Sequence, residues 1–291
     1  MSLLISLALV QNLINEQFPE FSLLPIKQII PGGNDNRTFR LGNDMLIRLP
    51  SAERYALKVQ KEQHWLPILA PHLSISVPKP LKMGQPSKDY PFNWSIYQWI
   101  DGESANNITI DDISLQKIAL DLSNFLNELH KIDITNGPIS GIHNFWRGGP
   151  LFTYDAETKL AIDQLRDLID ANQATAVWQK ALNSTWTQNP VWIHGDLSAG
   201  NILIENNQLV AVIDFGGMAI GDPACDLVIA WTFLKGESRK VFKSQLNLDS
   251  NTWARARGWA LWKALITLTA LKDKNSLEAA TQLQIINEIL H

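Results

Sequence analysis

The sequence predicts an α+β protein in two parts, an antiparallel sheet followed by a mainly helical region. Three observations carry that expectation. Residues 26–100 read as short β-like segments around a single helix. After Asp101-Gly102 the apolar pattern turns helical over most of what remains. A chain of 291 residues is long for one core and ordinary for two.

Taken in order, the chain opens with an almost continuous apolar run from Leu3 to Val10. No Lys or Arg precedes it and no small-x-small cleavage signal follows, while Leu3, Leu7, Val10, Ile14 and Phe18 recur at helical spacing. An amphipathic surface helix is therefore predicted instead of a secretion signal. Strands are predicted at Ile26 to Ile30, Asn36 to Leu41, Met45 to Leu49, Leu81 to Met83 and Trp94 to Ile100. Turn chemistry at Pro31-Gly32-Gly33-Asn34 and Gly42-Asn43-Asp44 separates the early ones. The intervening helix runs from about Ala52 to Ala70, with Ser51 as its expected cap and Pro71 as its stop.

Beyond Gly102, Leu115, Ile118, Leu122, Phe125, Leu126 and Leu129 define an amphipathic helix of about five turns. Residues 134–190 read as a helical insert of loop and helix, with helical character from Thr158 to Ile169. Strand returns at Val191 to His194, Ile202 to Ile204 and Leu209 to Ile213, the last two joined by the turn-forming pair Asn206-Asn207. Helices follow from Cys225 to Leu234, Trp253 to Leu271 and Leu277 to Leu290. The expected division is residues 1–100 and 101–291.

Composition excludes several functions. With 25 basic against 29 acidic residues there is no positive excess to hold nucleic acid. No run approaches the ~18 to 20 apolar residues that span a bilayer, so no membrane partner is expected. A single cysteine, Cys225, forms no internal disulfide and no metal cluster, which fits a reducing cytoplasm, with the thiol as a small buried hydrophobe. Nothing in the chain points to a protein partner.

The polar residues between Val191 and Asp214 carry the chemistry. Asp196 follows the strand ending at His194, Asn201 comes five residues later, and Asp214 ends the strand from Leu209 to Ile213. Short loops at strand ends would converge these three side chains on one point. Phosphoryl transfer needs little more: a positioned hydroxyl, an acceptor for its proton, and oxygen ligands for Mg²⁺ on the phosphates.

His194-Gly195-Asp196-Leu197-Ser198-Ala199-Gly200-Asn201 followed by Ile213-Asp214-Phe215-Gly216 resembles the catalytic and metal loops of the kinase-like fold, in the form used by the aminoglycoside and macrolide phosphotransferase family. The resemblance covers nearly the whole chain. It implies a bilobal, protein-kinase-like α+β fold: a nucleotide-binding N-lobe with an antiparallel sheet, and a mainly helical C-lobe for catalysis and substrate binding. It also implies Asp196 as catalytic base, and Asn201 and Asp214 as ligands of Mg²⁺, with ATP or GTP as phosphoryl donor. Asp222 and Asp226 are read as structural supports, and His194 as a packed, hydrogen-bonded residue.

For the nucleotide, the resemblance places Arg48 where this fold commonly has a phosphate-gripping lysine. Arginine stays charged and holds phosphate bidentately. Glu62, fourteen residues on, could pair with it; the plainer alternatives are an exposed strand charge and a solvated helix face carrying Lys58, Lys61, Glu62 and His64. Gly33 and Asn34 fall where a loop would cover the phosphates, although the G-x-G-x-x-G pattern is absent. The Gln98 carbonyl and Ile100 N–H would meet the purine edge. Backbone groups reading a purine do not separate ATP from GTP.

The acceptor is expected to be a small molecule. Gly195 stands where eukaryotic-type protein kinases carry an arginine that reads a phosphorylated loop, and only Gly217 to Gly221 separate the Asp214 loop from Asp222-Pro223, too short for a peptide platform. An aminoglycoside- or macrolide-type antibiotic is the expected acceptor class; choline, homoserine, a fructosamine or a similar metabolic alcohol is the alternative. A nucleotide-binding pseudokinase is the rival outside enzymes, disfavoured by the complete polar triad. Charge separates the acceptors weakly: residues 134–190 hold five acids against four bases, and residues 235–291 five against nine. Trp253, Trp259 and Trp262 on one helix could line an apolar pocket or simply fill the core.

Overall fold

The computed structural model describes residues 4–30 and 35–291. It falls into two compact units, one of Met1–Gly102 with Val210–Gly216, the other of Glu103–Leu209 with Gly217–His291. The chain thus returns to its first unit for the seven residues that contain Asp214.

In the first unit, helix α1 (Leu7–Gln17) is capped by Ser6, whose hydroxyl accepts from the Leu9 N–H. Strands β1 (Ile26–Gln28), β2 (Asn36–Leu41) and β3 (Met45–Pro50) precede helix α2 (Glu53–Leu69), and β4 (Pro80–Gly84) and β5 (Trp94–Gln98) follow it. The strands form one sheet in the order β1-β2-β3-β5-β4, every pair antiparallel. Strand alternation sorts its two faces. Phe39, Leu41, Ile47, Leu49, Trp94 and Ile96 are buried with Val10, Leu13 and Ile14 of α1. The opposite face of β3 and β5 carries Arg48, Ser95 and Tyr97, whose side chains meet α2.

Two details differ from expectation. Ser51 does not cap α2; its hydroxyl donates instead to the Asp35 carbonyl at 3.0 Å, and Ala52 occupies the cap position. Strand β5 stops at Gln98, although the Trp99 N–H beyond it still donates to the Asp44 carbonyl, at 2.7 Å. The predicted turn at Pro31-Gly32-Gly33-Asn34 lies outside the described residues.

The second unit opens with strand β6 (Glu103–Ser104) and helix α3 (Asp112–Leu129), whose cap Asp111 accepts from the N–H groups of Ile113 and Ser114. All six apolar residues that predicted α3 are buried. The 134–190 region supplies α4 (Asp155–Gln164) and α5 (Ala171–Leu182). Strands β7 (Val191–Ile193), β8 (Ile202–Glu205), β9 (Gln208–Val212, which leads into the first unit) and β10 (Ala219–Gly221) come next. Asn206 and Asn207, between β8 and β9, take φ values of 51° and 61°, the left-handed pair that a tight hairpin turn requires. The short segment after Asp214 is β10 itself, laid antiparallel on β7.

Helices α6 (Ile229–Thr232), α7 (Gly236–Gln245), α8 (Ser250–Ala270) and α9 (Leu277–Leu290) complete the unit. The helix expected from Cys225 to Leu234 is split, with a 3-10 stretch over Pro223–Val228 before α6. Trp178, Trp192 and Trp259 are fully buried and Trp231 and Trp262 largely so, which puts five of the eight tryptophans of this unit in the core. Gly258 lets α8 approach α5 closely, because a Cβ there would run into Ala181.

Candidate active site

The first unit gathers Arg48, Glu62 and Asp214. Arg48 Nη2 lies 2.8 Å from Asp214 Oδ1 and its Nη1 lies 3.5 Å from Glu62 Oε1. Tyr97 donates its hydroxyl to Glu62 Oε2 at 2.7 Å. Glu62 is buried at 4% exposure, so the solvated-helix alternative does not apply to it. Burial alone would lower the Arg48 pKa, but the Asp214 and Glu62 carboxylates outweigh it and raise the value further. Asp214 itself sits in the left-handed region at φ 63°, a conformation that short polar side chains tolerate.

Around this cluster α2 presents two more cations. Lys58 pairs with Asp35 at 2.6 Å. Burial pushes Lys61 down to about 7, with Lys58 adding to the shift and Glu62 opposing it. Gln98 is the exposed last residue of β5 and Ile100 follows beyond the strand end. Gly33 and Asn34 lie outside the described residues.

The second unit holds Asp196 and Asn201 on a loop fixed by its backbone. The Asp226 carboxylate, fully buried, accepts the N–H groups of both His194 and Gly195, each at 2.7 Å. Burial raises the Asp226 pKa despite those two bonds and the nearby His194. The Asp196 N–H donates to His194 Nδ1 at 3.2 Å, and Asn201 Nδ2 donates to the Asp196 carbonyl at 2.9 Å. Gly195, at φ 83°, leaves no room for a side chain, since a Cβ would collide with the Gly217 carbonyl. Asp222 accepts from Arg255 Nε at 2.5 Å, both residues buried, and from the Ala224 N–H at 3.1 Å.

Two cations beside Asp196 have no counterpart in the sequence reading. Lys263 of α8 places its Nζ 2.8 Å from Asp196 Oδ1. The Arg147 guanidinium lies over the rings of Trp262, Trp259 and Tyr154, at 4.5, 5.4 and 6.0 Å. Lys263 shares its helix with the three tryptophans already singled out, a usable signal; Arg147 sits in an irregular loop and offers none.

A tethered carboxylate loop, an arginine held by carboxylates, an antiparallel sheet and a helical region together define a protein of the kinase-like phosphotransferase fold. The model of the phosphotransferase enzyme family (APH) matches residues 28–259, and the chain belongs to that family, whose members transfer phosphoryl to an alcohol. No curated protein matches the chain. The fold is similar to that of aminoglycoside 2'-phosphotransferase-IIIa bound to GDP, with 20% identity over 97% of each chain and a TM-score of 0.72. The GDP and kanamycin complex of APH(2")-IIIa aligns with 21% identity over 96% of this chain and 97% of that one, at a TM-score of 0.72. The apoenzyme of macrolide 2'-phosphotransferase MphH from Brachybacterium faecium gives 19% identity over 97% and 98%, at a TM-score of 0.62.

Proposed function

We propose that this phosphotransferase moves the terminal phosphoryl of ATP or GTP to a hydroxyl of a small molecule, with Asp196 accepting the hydroxyl proton. The observation that carries the reading is the tether of the loop. Asp226 takes both N–H groups ahead of Asp196 and Asn201 closes on its carbonyl, so the backbone, not a mobile side chain, aims the carboxylate.

Arg48 serves the phosphates, staying cationic in a buried position because Asp214 and Glu62 flank it. The Gln98 carbonyl and Ile100 N–H take the purine edge, and Gly33 and Asn34 cover the phosphates. Similar structures solved with GDP, ADP and ATP support a nucleotide donor. Residues 1–100 form the nucleotide lobe and 101–291 the acceptor lobe in this reading. A nucleotide donor fits a reaction in the cytoplasm. Among the described residues no helix is long and apolar enough to cross a membrane.

Asn201 and Asp214 each carry the oxygen donor that Mg²⁺ prefers. Asn201 spends its amide N–H on the Asp196 carbonyl, which turns its oxygen end outward from that bond, and Asp214 adds a carboxylate. A hard cation that keeps several waters needs no more side chains than these. When bound it neutralises charge on the phosphates. Asp214, which Arg48 also holds, would be one of its ligands and Asn201 the other.

Kanamycin and gentamicin accompany similar structures, which makes an aminoglycoside- or macrolide-type antibiotic one acceptor class. Arg147 and Lys263 beside Asp196 favour the other, a smaller metabolic alcohol, over a polycation. Asp196→Ala tests the reading: nucleotide affinity by calorimetry should stay within about twofold while turnover falls at least about 100-fold. Full turnover in that variant would remove Asp196 from the chemistry.

A further inference from the structure

The proposed proton acceptor is surrounded by donors that the transfer reaction leaves unused. Arg147 Nη1 is buried and has no hydrogen-bond partner among the described residues. The same holds for Nε1 of Trp259, a residue only 1% exposed. Both line one small hollow with Gly195, Asp196, Trp262 and Lys263. Its free space is about 10 Å³, room for a single water-sized group.

A buried donor without an acceptor is costly and is seldom retained without a ligand or a role. Here two such donors belong to residues that line one hollow, and one is a cation. No carboxylate pairs with Arg147 among the described residues; the exposed Glu157 accepts instead from Trp262 Nε1, at 2.8 Å. The flanking rings of Trp259, Trp262 and Tyr154 hold the guanidinium and cover it from water. Lys263 adds a second positive charge and occupies only Oδ1 of Asp196. A guanidinium and an indole N–H so placed suit the oxygens of an anion, which a guanidinium can take bidentately.

Resting on the phosphotransferase reading above, we propose that the acceptor is a hydroxylated molecule bearing an oxyanion, a carboxylate or a phosphate. The tip of that oxyanion docks on Arg147 and Trp259 Nε1, and the hydroxyl meets Asp196. The hydroxyl oxygen forms the new bond to the terminal phosphorus while the bond to the bridging oxygen breaks. The bridging oxygen keeps the electron pair and leaves as nucleoside diphosphate, and the hydroxyl proton passes to the Asp196 carboxylate. A polycationic acceptor would instead set its ammonium groups against Arg147 and Lys263.

The test follows ADP and GDP release with matched acceptors. Glycerate and gluconate supply a carboxylate, glycerol 3-phosphate and glucose 6-phosphate a phosphate, glycerol and glucose neither, and kanamycin a polycation. Turnover should concentrate in one oxyanion arm, and which arm responds separates carboxylate from phosphate. Arg147→Met should raise KM for that acceptor about 10- to 100-fold, with a smaller change in kcat, and Arg147→Lys should recover part of it. Fastest turnover with kanamycin or a neutral alcohol, or an unchanged KM in Arg147→Met, overturns the proposal.

If no arm turns over, inorganic phosphate and acetate are titrated into enzyme saturated with ADP, and tryptophan fluorescence is read. A response lost in Arg147→Met sustains the oxyanion site, and no Arg147-dependent response ends it. Kanamycin turnover that requires Asp196 would leave the phosphotransferase reading standing and remove this one. Turnover indifferent to Asp196→Ala would remove the role assigned to that carboxylate.

Discussion

Two partly buried arginines, Arg48 of the first unit and Arg147 of the second, are held in opposite ways. In the first, Arg48 is flanked by Asp214 and Glu62, and Tyr97 completes the hydrogen bonding of Glu62. In the second, Arg147 rests on aromatic rings with one guanidinium nitrogen unpartnered, and His130 likewise keeps a buried, unpartnered Nε2. A compensated cation belongs to the folded framework, because removing any member strands the others. An uncompensated one contributes little to folding and remains available to a ligand. The contrast separates charge that builds the site from charge that recognises something.

The largest test of that contrast is Arg48→Met. It should cost about 3 kcal/mol in urea unfolding, since Glu62 then loses its cation in a buried position. A loss below about 1 kcal/mol, the scale of an exposed pair, would mean that Arg48 is not held as described.

Acid probes the second unit. Burial pushes His130 from its ordinary 6.5 down to about 4. The native state therefore disfavours the protonated ring, and stability present above pH 6.5 is lost as pH falls toward 4. The loss should reach on the order of 2 kcal/mol, and His130→Gln should flatten that slope. Equal slopes in both proteins, measured as urea midpoints between pH 7.5 and 5, would acquit His130.

Glu62→Gln keeps the shape of the first cluster and removes one charge, so a loss of about 1 to 2 kcal/mol is expected, smaller than for Arg48→Met. Smallest of all should be the folding effect of Arg147→Met, within about 1 kcal/mol because stacking on aromatic rings is all it forfeits. A loss as large as that of Arg48→Met would make Arg147 a framework residue after all.

Much of this was legible in the chain. The six buried positions of α3 followed from spacing alone, and Asn206-Asn207 announced the turn that their positive φ values confirm. Asp226 as a support for the loop that carries Asp196 is also found, through its bonds to the His194 and Gly195 N–H groups. Gly195 gained a reason beyond the missing arginine: the backbone of Gly217 lies too close for any side chain.

What stayed hidden depends on contacts distant in sequence or on weak local patterns. Arg48 and Asp214 are 166 residues apart, and no periodicity links them. Helix α7 has only Ser238 and Phe242 buried, too few to print an apolar stripe. The helix expected over Cys225 to Leu234 is broken because Asp222 and Pro223 start a tighter turn, and Asp226 within it bonds to the strand-end N–H groups.

The return of Val210–Gly216 to the first unit means that a gene fragment ending near Gly102 encodes an unfinished module. Such a fragment would lack the Ala211 backbone bridged to Ser76 and the carboxylate that binds Arg48. Joining residues 1–102 alone to another protein would therefore leave Arg48 without the Asp214 carboxylate.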